Sequence, residues 1–286
     1  MSKSSFRAIP RGARLAEAQY GCWRRGFPLS RLNGRSVDEG DGLKAKEPIF
    51  NVPPAVIGML GLMAGVHASR ALLSSDQDNW FVIAMAFIPA RYAGLAAELP
   101  GGSVASFTSP FTHMAVHGDI VHLIFNSAWL LAFGSAIAKR VGGLRFLALF
   151  LFCGLAGVLA FLVVHLGELV PVVGASGAIS GLMAAVMRFL FSAMDDGGLR
   201  QLREDPSSIR LMGLGEAFRD RRLLLTTGVW LLLNVLAMVG IGTLGVQGAI
   251  AWEAHVGGYL AGLFCFGLFD PKPGPSSQPH NKPTLN

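Results

Sequence analysis

Long apolar runs, each near the length of a membrane crossing, dominate the hydrophobic pattern of this chain. A helix that spans hydrocarbon needs about 20 mostly apolar residues. Six stretches meet that measure: 51–73, 119–138, 144–166, 174–193, 222–243 and 249–269. A seventh, Trp80 to Leu99, is apolar at first but carries Pro89, Arg91 and Glu98 in its second half. It reads as an interfacial or loop-embedded segment, with Trp80 at a membrane boundary and Arg91 and Tyr92 at the headgroups. The pattern predicts an all-α, polytopic membrane protein. A bundle of six transmembrane helices occupies 48–270, between disordered tails at 1–47 and 271–286.

Composition and charge sharpen this reading. Only 15% of the 286 residues are charged, against roughly a quarter in soluble domains. The basic residues are also segregated. Ten Lys/Arg lie in the first 47 residues, Lys139, Arg140 and Arg145 follow the second run, and six arginines from Arg200 to Arg222 separate the fourth and fifth. The intervening loops, 74–118, 167–173 and 244–248, hold a single basic residue, Arg91. By the positive-inside rule both termini face the cytoplasm, and six crossings satisfy the alternation where seven would break it. The net charge of +6 is thus topological, and no structured basic domain calls for nucleic acid. Three cysteines are too few for a disulfide framework. Cys153 and Cys265 lie in apolar runs, and Cys22 in the basic tail. No cleavable signal peptide is expected, and the acidic residues Glu17, Asp38, Glu39 and Asp41 argue against a transit peptide.

Two motifs then stand out, Gly174-Ala175-Ser176-Gly177 and Ala254-His255 followed by Gly258 and Gly262. Each opens an apolar run, and polar side chains in such runs are costly unless they serve something. A serine hydroxyl becomes a nucleophile when a neighbouring base takes its proton. Alone, the first motif also reads as a small-residue packing patch, and a lone membrane histidine as a helix-to-helix hydrogen-bond partner. Gly177 with Gly181, and Gly258 with Gly262, form small-xxx-small steps that allow tight helix contact. Such pairing, with Gly174 among the small residues, would bring Ser176 to His255. His122 and Asn126 share one face of the second span and can donate to an oxyanion. All four polar residues fall near the start of spans running from outside to inside, hence at similar depth. A metal site from His113, His117 and His122 has no HExxH and only Asp119 as a nearby carboxylate. The first two histidines read instead as hydrogen-bonding within the outer loop. Asn234 reads as a polar packing contact, and Glu253 as facing interfacial water.

In combination, His122-xxx-Asn126, Gly174-Ala175-Ser176-Gly177 and Ala254-His255-xx-Gly258-xxx-Gly262 resemble the rhomboid family of intramembrane serine proteases, over about 50–269. The resemblance implies a rhomboid-like six-helix bundle, with Ser176 as nucleophile and His255 as general base in a dyad without aspartate. It further implies an oxyanion hole of His122, Asn126 and the Ser176 backbone, structural roles for His113 and His117, and lateral substrate access near the fifth span. Neither metal nor organic cofactor is implied. The expected partners are the lipid bilayer and single-span membrane protein substrates, cleaved near the outer face, with bacterial inner membrane as the default location. The chain departs from the family in three places. It lacks a Trp-Arg pair before Phe107, it has Ser135 to Ala138 where a glutamate often follows Gly134, and it has Ser180 four residues after the serine in place of a tyrosine. The competing readings are a rhomboid-like protein that escorts helices without cutting them, and a small transporter, for which internal repeats would be expected.

Overall fold

A computed structural model describes residues 52–195, 198–238 and 251–270. The tails assigned to 1–47 and 271–286, and the loop at 244–248, lie outside the described residues. Among those described there is no strand, only an isolated bridge between Phe87 and Val172.

Helix α1 (Pro54–Arg70) starts on a proline pair, where the missing N–H of Pro54 costs nothing. Helix α2 (Ser75–Met85) carries a capping box between Ser74 and Gln77. Helix α3 (Gly102–Thr112) follows the 3-10 turn Pro89–Ala93. Helix α4 (Ile120–Trp129) is capped by Asp119, whose carboxylate accepts from the His122 N–H at 2.8 Å. A π-turn over Leu130–Gly134 joins it to α5 (Ser135–Val141), making one 22-residue rod. Then come α6 (Gly143–His165), α7 (Ser176–Asp195), the short α8 (Leu199–Glu204) and α9 (Leu214–Ala217), α10 (Arg221–Met238) and α11 (Trp252–Phe269).

The chain is an all-α, multi-pass membrane protein. Four of the described rods are long and apolar enough to cross a bilayer: Ile120–Val141, Gly143–His165, α7 and α10. At 1.5 Å per residue, the first two are each about 33 Å long, close to the hydrocarbon thickness. Helix α1 has 17 residues, and α11 opens on Glu253 and His255. Burial separates centre from periphery: 78% of an 18-residue stretch of α7 is buried in the protein, against 11% of α10.

Helices α6, α7 and α11 form the centre, and glycine is what lets them touch. A Cβ on Gly258 would collide with the Gly177 carbonyl, and one on Gly262 with the Gly181 carbonyl. On Gly157 it would stand 2.6 Å from the Ala254 carbonyl oxygen. At these distances no side chain fits, so the backbones themselves are in contact. Around this contact Leu149, Phe150, Cys153, Ala178, Leu182, Ala185, Phe189 and Phe266 close the core.

The first loop differs from its expected arrangement in one important respect. Arg91 does not reach headgroups; it is 3% exposed. Its guanidinium donates to the carbonyls of Ile83 (2.8 Å) and Pro100 (2.7 Å). The loop turns at Pro89, Gly94 and Gly101, with both glycines left-handed. One guanidinium nitrogen, Nη2 of Arg91, thus joins the last turn of α2 to the turn before α3. Tyr92 donates to the Ser106 carbonyl at 2.8 Å and stacks on Phe87.

Candidate active site

Ser176 is the first residue of α7. The two residues before it make the turn from the Phe87–Val172 bridge into the helix, and Gly174 takes φ 109° to do so. Its N–H donates to the His113 carbonyl at 2.8 Å, which ties the turn before Ser176 to the loop after α3. Gly174 therefore differs from the packing role expected of it. It lies outside the helix, and a Cβ there would stand 2.6 Å from His122 Nε2. Its missing side chain is the space in which the His122 ring sits.

His255 is in the first turn of α11. Its Nε2 lies 2.7 Å from Ser176 Oγ. The contact follows from the glycine stack: Gly177 adjoins Ser176, Gly258 lies one turn from His255, and the two glycines meet backbone to backbone. Both side chains are half-buried, so the pair is held by protein and still accessible. Ser180 returns its hydroxyl to the Ser176 carbonyl at 2.8 Å, a common use of serine inside helices.

His122 and Asn126 rise from α4 beside this pair. The Asn126 Nδ2 donates to the His122 carbonyl at 3.0 Å, which leaves its second proton uncommitted. A Cβ on Gly174 would be 3.9 Å from the same Nδ2. Both donors thus border the space immediately before Ser176.

The remaining histidines divide. His113 hydrogen-bonds Ser109 through Nδ1 (3.0 Å), and burial pushes its pKa down to about 4. His117 does not hydrogen-bond through its ring as expected; both ring nitrogens are buried without a partner among the described residues. Its ring packs edge-on against His122, 5.1 Å between centroids. Burial first, and the neighbouring His122 second, lower its pKa to about 3. What it offers the loop is its carbonyl, which accepts from Arg70. Among the described residues, no group of three His, Cys, Asp or Glu side chains is placed to hold a metal ion.

Two contacts escaped the sequence reading. Asn234 Oδ1 lies 2.6 Å from His255 Nδ1, so the residue read as packing touches His255 itself. The available signal was its isolation as the sole polar side chain between Trp230 and Met238. Glu253 bonds His165 Nε2 at 3.0 Å rather than facing water. His165 also holds Glu168 at 2.9 Å, joining the end of α6 to the start of α11. No sequence spacing signals a contact between residues 88 positions apart.

A search of curated proteins finds no match to the chain. The family model for the rhomboid domain matches residues 105–270, from within α3 to just past α11. That stretch is more than half of the chain and contains every element of the site, and the chain belongs to the rhomboid family of intramembrane proteases.

Proposed function

We propose that this protein is an intramembrane serine endopeptidase with Ser176 as nucleophile and His255 as general base. The 2.7 Å contact between Ser176 Oγ and His255 Nε2 carries the reading. The rhomboid family also contains inactive members, which generally lack one of these two residues; this chain keeps both. Six crossings over 48–270 with both termini cytoplasmic, in a bacterial inner membrane, are part of the same proposal. That topology sets the pair near the outer face.

The chemistry follows from the neighbours. Ser176 Oγ attacks the scissile carbonyl carbon while its proton passes to His255 Nε2. The resulting oxyanion is received by donors that border the space before Ser176. These are His122, the free proton of Asn126 Nδ2 and the Ser176 N–H, which as the first of α7 has no intrahelical partner. His255 then gives its proton to the leaving amine, and the C–N bond breaks. Water attacks the acyl-enzyme, returning a proton to His255 and releasing the carboxylate and Ser176. Donors fixed in a dry site need no reorganisation at that moment, which makes them effective.

The substrate is a transmembrane segment. A helix in lipid shields its carbonyls in its own hydrogen bonds, so a bond must unwind locally before attack. Glycine or proline near the scissile bond favours cleavage, because both weaken a helix.

The test is reconstitution in liposomes with a tagged single-span substrate whose outer boundary is rich in Ala and Gly. Cleavage by the wild type, lost in both Ser176→Ala and His255→Ala, is the expected result. Cleavage that survives Ser176→Ala would overturn the mechanism.

A further inference from the structure

His255 has two ring nitrogens, and a base that takes a proton on Nε2 must carry its own proton on Nδ1. Something has to hold that tautomer. The Asn234 amide faces Nδ1 at 2.6 Å, and its Nδ2 donates to the Trp230 carbonyl at 2.8 Å. The second contact settles the amide's orientation. A carbonyl can only accept, so the NH2 group must face Trp230 and the oxygen must face the histidine. An amide oxygen can only accept as well, and therefore Nδ1 is the protonated nitrogen. The lone pair of Nε2 is then aimed at Ser176.

We propose that Asn234 is a positioning residue which makes the pair a Ser176–His255–Asn234 relay, a deepening that rests on the protease reading above. Its placement on α10 is not incidental. Only Leu223 and Asn234 are buried in that 18-residue helix, so most of its surface faces away from the protein. What holds its register against α11 is one face at helical spacing. Thr227 meets the Tyr259 hydroxyl, Trp230 stacks on the Tyr259 ring at 4.6 Å, and Asn234 meets His255. Residues 227, 230 and 234 fall on one stripe of α10, and 255 and 259 on one stripe of α11. The lower contacts set the height at which the amide arrives.

The choice of an amide over a carboxylate suits the depth. An aspartate would also accept from Nδ1–H, but a carboxylate inside the hydrocarbon region is costly, and it could not donate to the Trp230 carbonyl. Asparagine orients the ring at no cost in charge. By the same token, it fixes the tautomer without adding a negative charge beside the imidazolium.

The experiment compares Asn234→Leu, a near-isostere with no acceptor, and Asn234→Asp, which keeps an acceptor, with the wild type. Three readouts are taken: kcat and KM on the liposome substrate, the rate of fluorophosphonate labelling of Ser176, and the 15N shifts of His255 in labelled protein. Asn234→Leu should lower kcat about 10- to 100-fold with KM nearly unchanged, the scale of losing one oriented hydrogen bond. Labelling should slow in step, and Asn234→Asp should recover a large part of both. A purely structural role would instead lower the melting temperature in both variants alike and leave labelling untouched; that result overturns the proposal. Should Asn234→Leu fail to fold, the wild-type spectrum still decides. A proton on Nδ1 of neutral His255 supports the relay, and a proton on Nε2 refutes it. A wild type that neither cleaves nor labels would sink the protease reading, while the tautomer would still report on Asn234.

Discussion

Gly258→Ala adds one methyl group at the contact that brings α7 and α11 together. The added Cβ would stand 2.7 Å from the carbonyl carbon of Gly177 and closer still to its oxygen. Ordinary contact begins at 3.4 Å. The obstacle is backbone, which cannot rotate aside, so the helices must part by at least about 0.7 Å, and by more to clear the carbonyl oxygen. Gly177 adjoins Ser176 and Gly258 lies one turn from His255, so the same displacement reaches the reacting pair. A 2.7 Å contact opened by that amount is at least about 3.4 Å, beyond a good hydrogen bond. Misplacements near 1 Å cost about 100-fold in rate. Overpacking costs about 1–3 kcal/mol, partly offset by roughly 1 kcal/mol from replacing a helical glycine with alanine. The expected outcome is a loss of about 10- to 100-fold in turnover with a modest fall in melting temperature. The liposome cleavage assay and thermal unfolding in detergent read the two effects. Gly61→Ala on α1 is the control, since nothing lies within 4 Å of its added Cβ; it should stabilise slightly and leave turnover alone. Wild-type turnover and melting in Gly258→Ala would refute the claim that this glycine contact positions the pair.

Other consequences lie away from the reacting atoms. Arg140 pairs with Asp270 through two contacts of 2.7 and 2.8 Å and also donates to the Pro206 and Ile209 carbonyls. Removing one partner of so enclosed a pair, by Arg140→Met or Asp270→Leu, should destabilise by about 3–5 kcal/mol, and the double variant should recover part of that loss; a denaturation series on all four proteins checks it. His117 is held neutral by burial, with its pKa lowered from 6.5 to about 3. The unfolded chain therefore binds a proton that the folded ring refuses. This contribution to stability is fully present above pH 6.5 and is lost as pH falls toward 3, at about 1.4 kcal/mol per pH unit. Melting temperatures between pH 7.5 and pH 5 should fall, and His117→Phe should flatten that slope.

The apolar runs were legible because hydrocarbon imposes a length on any helix that crosses it, so α4 with α5, α6 and α7 fall close to their expected bounds. Ser176, His255, His122 and Asn126 were legible for a different reason. Each is a polar residue near the start of an apolar run, and Ser176 and His255 also adjoin glycines at small-xxx-small spacing. Asn234 shows the limit of that logic. One polar residue in the middle of a span looks the same whether it grips a backbone carbonyl or a histidine ring on another helix, and the difference lies in that partner helix. Arg91 shows another limit: the carbonyls it gathers exist only after the first loop has folded, so its sequence context suggests a headgroup anchor. In the sequence Gly174 reads as a packing glycine because its motif adjoins the small-xxx-small steps. Its left-handed backbone and its contact with His122 come from the turn that precedes α7, which small-residue spacing does not describe.

The claim at the centre is that His255 activates Ser176. Fluorophosphonate labelling of the full chain in its membrane tests it most directly, because it requires a charged-up serine and no knowledge of the substrate. The labelled peptide should contain Ser176, and labelling should fall to background in His255→Ala while that variant keeps its helical content and melting temperature. Labelling of Ser176 at the same rate in His255→Ala, or a folded wild type whose Ser176 stays unmodified, would contradict the account.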